Sequence, residues 1–248
     1  MSRFSVSGTA IVTGGSKGIG RSIAEEFVED GADVVVCSRT KEEIEATADE
    51  IGAVGVECDV TDRDDVDSLV EETVEEFGGV DVLVNNAGAS FMSNFDGVTP
   101  NGWDRVVDIN LGGTYNCTRA AGEHLKDGNG AVVNMASVAG VQGAPYMSHY
   151  GAAKASIINL TSTLAYEWAS DGVRVNCVAP GYVATPGVES QMGVSADDID
   201  RRDPERTIGE PKEIADIVSF LASPASSFVV GETIVARGVP DIAETPEV

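Results

Sequence analysis

Lysine is scarce in this chain: five residues among 248, within only 16 basic residues against 41 acidic ones. The formal net charge of −25 repels DNA, RNA and anionic membrane surfaces, which argues against nucleic-acid and membrane partners. The carboxylates fall mainly on apparent helix surfaces, as at Glu25, Glu26, Glu29 and Asp30, or Glu71, Glu72, Glu75 and Glu76. Self-repulsion of this size destabilises a compact chain in dilute buffer. At molar salt the Debye length falls to about 3 Å and the penalty largely disappears. A salt-rich cytoplasm is therefore expected, the alternative being an ordinary acidic protein of a mesophile.

Metal and disulfide signals are missing too. Cys37, Cys58, Cys117 and Cys177 are far apart with no CxxC spacing, and His124 and His149 offer no zinc pattern, so the expectation is no metal and four buried thiols. No apolar run approaches the 18 or so residues of a membrane span, and MSRFSVSGTAIVTGG carries no signal-peptide pattern. A cytoplasmic protein is expected.

What is present is an apolar content of 42% spread along the length, enough for one large α/β domain over 1–248. Seven short β-branched runs read as strands: Ala10 to Val12, Asp33 to Val36, Val54 to Val56, Val80 to Val84, Ala131 to Met135, Val173 to Val178 and Thr233 to Val235. Helical stripes lie between them at Ile19, Ile23 and Phe27, at Val66, Val70 and Val74, and at Ile214, Ile217, Val218 and Leu221. Gly31 is a helix stop, and an acidic, proline-bearing tail runs from Pro240 to Val248. The pattern predicts a doubly wound, seven-stranded parallel sheet of Rossmann type with helices on both faces, whose ligand crevice lies beyond the strand C-termini.

The chemistry-bearing residues gather at that edge. TGGSKGIG from Thr13 to Gly20 follows the first strand and opens a helix, where backbone N–H groups and the helix dipole can meet a pyrophosphate. Ser38 and Arg39 follow the second strand, Asp59 the third, Asn85 to Gly88 the fourth, Ser137 the fifth, and Pro180 and Gly181 the sixth. Tyr150 and Lys154 stand four apart, on one helix face, so an ammonium can sit beside the phenol and favour its ionised form. Unassisted, a phenol of pKa about 10 is a poor proton carrier at neutral pH.

TGxxxGxG, NNAG, Asn110, Ser137, YxxxK and PGxxxT, in that order, resemble the short-chain dehydrogenase/reductase family from Gly8 to Gly238. The resemblance implies hydride transfer between a nicotinamide cofactor and a carbonyl or secondary alcohol. Tyr150 would exchange a proton with the substrate oxygen, and Lys154 would lower the phenol's pKa and bind the nicotinamide ribose. Ser137 would hold the substrate oxygen, and Asn110, on a long helix starting near Trp103, would anchor a water relay. Gly14, Ser16, Lys17, Gly18, Ile19 and Gly20 would cradle the dinucleotide, with Asp59 and Val60 at the adenine and Asn86, Ala87 and Gly88 on its ribose side. Pro180, Gly181, Val183 and Thr185 would meet the nicotinamide. His149 matches no motif position and is expected to pack or to edge the substrate.

Roughly 20 residues after a glycine loop, an acid usually binds the ribose 2′-OH of NAD. Here Ser38 and Arg39 stand there and Lys17 lies in the loop, so NADP(H) is favoured over NAD(H). The resemblance makes 186–207 the variable substrate loop. In it Met192 and Val194 could cover an apolar substrate, while Arg201, Arg202 and Arg206 either meet an anionic one or pair with local carboxylates. It also implies a homotetramer, although Arg237, Gly238, Val239 and Pro240 replace the family's Asp-Gly-Gly-like segment. Candidate substrates are 3-oxoacyl thioesters, sugars or polyols, and simple ketones. The competing readings are a non-catalytic NADP(H)-binding sensor and a 2,4-dienoyl-CoA-type reductase.

Overall fold

The computed structural model describes residues 4–239; the predicted tail from Pro240 to Val248 and the side chain of Met192 lie outside the described residues. The first half runs β1 (Thr9–Thr13), α1 (Gly18–Asp30), β2 (Asp33–Ser38), α2 (Lys41–Ile51), β3 (Val54–Glu57), α3 (Arg63–Phe77) and β4 (Val82–Asn85). Next come α4 (Pro100–Val107), a π turn (Asp108–Gly112), α5 (Gly113–Asp127), β5 (Ala131–Met135), α6 (Val138–Val141) and α7 (Ser148–Trp168). The chain continues through β6 (Arg174–Pro180), β7 (Tyr182–Val183), α8 (Pro186–Met192), β8 (Ile208–Gly209), α9 (Pro211–Ala222) and β9 (Thr233–Ala236).

Seven strands form one parallel sheet in the order β3-β2-β1-β4-β5-β6-β9. From β1 the chain winds outward through β2 and β3, then returns to place β4 on the other side of β1. That reversal opens a crevice at the C-terminal ends of β1 and β4. Neighbouring residues on each strand feed opposite faces: Val12, Val36 and Val84 join Ile23, Phe27 and Leu221, whereas Ile11, Val35 and Leu83 join Leu69 and Leu125. This double burial explains the near-continuous apolar strands. The seven predicted strands are all present, and the predicted stripes of α1, α3 and α9 face the core. Gly31 ends α1 with φ of 92°, its N–H turned back to Val28 and Phe27 carbonyls.

Two features differ from the expectation. The helix expected near Trp103 begins at Pro100, because Thr99 Oγ1 accepts from Gly102 N at 3.1 Å and proline suits the first turn. It then widens into the π turn holding Asn110. A second, two-stranded sheet, β7 with β8, ties both ends of the substrate loop together.

Candidate active site

Thr13 and Asn86 lock the glycine loop to the loop after β4. Thr13 Oγ1 accepts from the N–H groups of Asn86 and Ala87, both at 3.0 Å, while Asn86 Nδ2 donates to the carbonyls of Thr13 at 2.9 Å and Gly14 at 3.1 Å. Side chains would break this clasp: a Cβ at Gly20 would stand 2.3 Å from the Gly14 carbonyl oxygen, and one at Gly14 would stand 2.9 Å from Ala87 Cα. The result is a cavity of about 390 Å³ lined by Gly14, Ser16, Lys17, Gly18, Ile19, Gly20, Ser38, Arg39, Asp59, Val60, Asn86, Ala87, Gly88 and Thr185. Cys37, Thr40, Glu43, Cys58, Ala89, Ile109, Pro186 and Gly187 also line it. A glycine cradle at a helix N-terminus, continued by a cleft past three further strands, fits a dinucleotide.

Charges are concentrated at the β2 side. Lys17 Nζ is 3.8 Å from Glu43 Oε2. Burial pushes the Asp59 carboxyl up, but hydrogen bonds from Thr61 and the nearby cations Arg39 and Arg105 outweigh it and leave the pKa below its ordinary value. At the other end Thr185 caps α8, accepting from Val188 N at 3.4 Å, and its methyl lies 3.3 Å from where a Gly18 Cβ would be. The substrate loop thus starts directly over the glycine turn.

Ser137, Tyr150 and Lys154 come together past the end of β5. Ser137 caps the short α6, its Oγ accepting from Ala139 N at 3.2 Å. Lys154 is 3% exposed; its Nζ donates to the Met135 carbonyl at 2.7 Å and lies 5.6 Å from the Tyr150 ring centroid. A Cβ at Gly88 would come within 2.8 Å of Asn110 Oδ1 and 3.5 Å of Lys154 Nζ, so the catalytic candidates adjoin the dinucleotide cavity. Asn110 Nδ2 donates to the Ala89 and Val106 carbonyls, both at 2.8 Å, as the π turn aims its amide at the loop after β4.

The electrostatics correct one expectation. Sequence spacing has Lys154 holding the Tyr150 phenol acidic, whereas burial pushes that phenol up, with the Ser137 hydroxyl pulling it down. The same burial pushes Lys154 itself down to about 8, opposed by Cys177. Burial is the largest influence on each group, because it penalises the charged form of both.

Pro180, Gly181 and Val183 lie apart from the cavity lining. Gly181 packs on Arg237, whose Cβ lies 2.9 Å from where a Gly181 Cβ would be. Arg201 faces Glu210, Glu213 and Asp216, Arg202 binds Asp200, and Arg206 forms a bidentate pair with Glu213, holding that carboxyl down to about 2. The alternative of pairing with local carboxylates is the one observed. Sequence reasoning missed a buried amide chain beneath the site: Asn85 Nδ2 donates to Thr118 Oγ1 and Asn134 Oδ1, and Asn134 Nδ2 donates to Thr161 Oγ1 on α7. The visible signal was an asparagine inside the apolar run of β5. His149 is fully buried against Phe91, with ring centroids 4.2 Å apart. Neither ring nitrogen has a partner among the described residues.

A family model described as "Enoyl-(Acyl carrier protein) reductase" matches residues 14–238. The chain is 39% identical over 237 residues to the 3-oxoacyl-(acyl-carrier-protein) reductase FabG of Staphylococcus epidermidis, covering 93% of this chain and 97% of that one. It is 36% identical over 230 residues to the enzyme of the same name from Thermotoga maritima, covering 90% and 94% respectively. Among solved structures, a short-chain type dehydrogenase/reductase from Mycobacterium marinum superposes with a TM-score of 0.87 at 33% identity, covering 95% of this chain and 96% of that one. A putative short-chain alcohol dehydrogenase from Sinorhizobium meliloti gives a TM-score of 0.85 at 36% identity, covering 96% and 98%.

Proposed function

The chain belongs to the short-chain dehydrogenase/reductase family and is an oxidoreductase of C=O and CH–OH groups that uses a nicotinamide cofactor; from this premise we propose that it is an NADP(H)-dependent reductase of 3-oxoacyl thioesters or related ketones. The observation that carries the reading is the convergence of Ser137, Tyr150 and buried Lys154 beside Gly88, at the rim of the dinucleotide cavity.

A nicotinamide dinucleotide bound in that cavity supplies or accepts the hydride. Ser137 donates a hydrogen bond to the substrate carbonyl oxygen, where negative charge develops. Tyr150 delivers the proton to that oxygen in reduction and removes it in oxidation. Lys154 orients the cofactor ribose, and Asn110 holds the loop after β4 and anchors proton return. Gly14, Gly18 and Gly20 would admit the pyrophosphate, and Thr185, which lines the cavity at the end of the segment carrying Pro180, Gly181 and Val183, would hold the nicotinamide side.

Lys17 and Arg39, at the β2 end without an acid at position 38, support NADP(H) over NAD(H). The names of the relatives support a 3-oxoacyl thioester over a sugar or polyol. With Arg201, Arg202 and Arg206 each paired to carboxylates, substrate anions gain little from that loop. A patch that includes Leu111 of the π turn, Tyr115 on α5, and Ala155 and Leu160 on α7 supports assembly into the homotetramer usual for the family. The acidic surface supports a halophilic, cytoplasmic setting.

A panel of 3-oxoacyl thioesters, simple ketones and sugars, assayed with NADPH and with NADH at molar salt, tests the reading. Turnover of 3-oxoacyl thioesters or ketones with NADPH is expected. Tight dinucleotide binding without turnover on any panel member would favour a sensor instead.

A further inference from the structure

Lys17 and Arg39, the cations behind the NADP(H) reading, share their end of the cavity with a carboxylate. Glu43 lines the same space in the first turn of α2, with its Oε2 3.8 Å from Lys17 Nζ. Thr47 Oγ1 on α2 donates to the Ser16 carbonyl of the glycine loop at 3.1 Å, which keeps the two segments that carry the exposed pair side by side. A ribose 2′-phosphate reaching Lys17 competes with the Glu43 carboxylate for the ammonium and comes to lie beside it. A 2′-hydroxyl meets no such cost.

We infer that Glu43 is a specificity-determining residue that weakens NADP(H) binding relative to NAD(H), and does so more strongly in dilute buffer than at high salt. The inference rests on the NADP(H) reading of the Lys17 and Arg39 end. A phosphate carrying nearly two charges, about 6 Å from a carboxylate in water-like surroundings, loses roughly tenfold in affinity without salt and roughly three- to fourfold at about 0.1 M, where the Debye length is about 10 Å. At molar salt a Debye length of about 3 Å removes most of that loss. The penalty that Glu43 places on NADP(H) thus depends on ionic strength and shrinks as salt rises.

The test is calorimetric binding of adenosine 2′,5′-bisphosphate and of 5′-AMP to the full chain and to Glu43→Gln, at about 0.1 M and about 2 M salt. The variant is expected to bind the bisphosphate roughly three- to fourfold more tightly at low salt and within about 1.5-fold of the parent at high salt. Its 5′-AMP affinity stays unchanged, which also reports an intact fold. An unchanged or weakened bisphosphate affinity, or an equal gain for 5′-AMP, overturns the inference. Lys17→Gln and Arg39→Gln separate the two levels. If they lose a bisphosphate preference that Glu43→Gln leaves untouched, Glu43 has no such role and the NADP(H) reading stands. If the parent shows no preference at either salt and neither variant changes that, the NADP(H) reading falls and takes the inference with it.

Discussion

Replacing Lys154 with methionine should remove a rise in stability with pH. The ammonium is 3% exposed, and burial pushes it down to about 8 from an ordinary 10.5. In the unfolded chain the amine keeps its proton up to about 10.4, so between those values the unfolded state binds more protons than the folded one. Folding stability contributed by this group therefore rises with pH through that window and is constant below it. A difference of about 2.5 pKa units corresponds to about 3 kcal/mol. The assay is urea unfolding of the parent chain and Lys154→Met at a series of pH values from about 7 to about 11, with the two stabilities subtracted. Subtraction cancels the tyrosines and the 41 carboxylates, which both chains share. The variant also loses the hydrogen bond to the Met135 carbonyl, a constant offset that does not alter the slope. The parent should gain about 3 kcal/mol on the variant over this range. A flat difference would mean that Lys154 is solvated as an ordinary lysine, and the burial reasoning would fail.

Gly20→Ala should abolish dinucleotide binding while leaving the chain folded, since its Cβ would stand 2.3 Å from the Gly14 carbonyl oxygen; fluorescence titration with NADPH checks this. Arg174→Met should cost about 2–4 kcal/mol in chemical unfolding, because the guanidinium bonds the Leu221, Ala222 and Ser223 carbonyls at the end of α9 and the Ser226 hydroxyl. His149, whose pKa burial holds below the ordinary value, leaves the unfolded chain to take up its proton first, so stability should fall as pH drops below about 6.5. His149→Phe should remove that portion of the acid sensitivity, read from the difference between the two unfolding curves.

The sheet was legible because each strand is buried on both faces, which forces continuous apolar runs such as Val132–Val133 and Val34–Val35–Val36. The glycine loop was legible because close backbone approach tolerates no Cβ, and that requirement is written in the residue type. Tertiary balance was not. Spacing brought Lys154 beside Tyr150, but no spacing states how much water each has lost, and desolvation reversed the expected direction for the phenol. The partner of Lys17 lies 26 positions away on another helix, and the amide chain through Asn85 and Asn134 joins residues 49 apart. The short β7 and β8 pair carries only two residues per strand, too few for a periodic signal.

The central claim is that the Tyr150 hydroxyl exchanges the proton with the substrate oxygen. Steady-state turnover of Tyr150→Phe with NADPH and a responsive ketone, alongside its NADPH dissociation constant, tests it most directly. Removing one oxygen atom should cut kcat by at least about 10²-fold with cofactor affinity within about threefold of the parent. Turnover at the parent's rate with the same affinity would contradict the account.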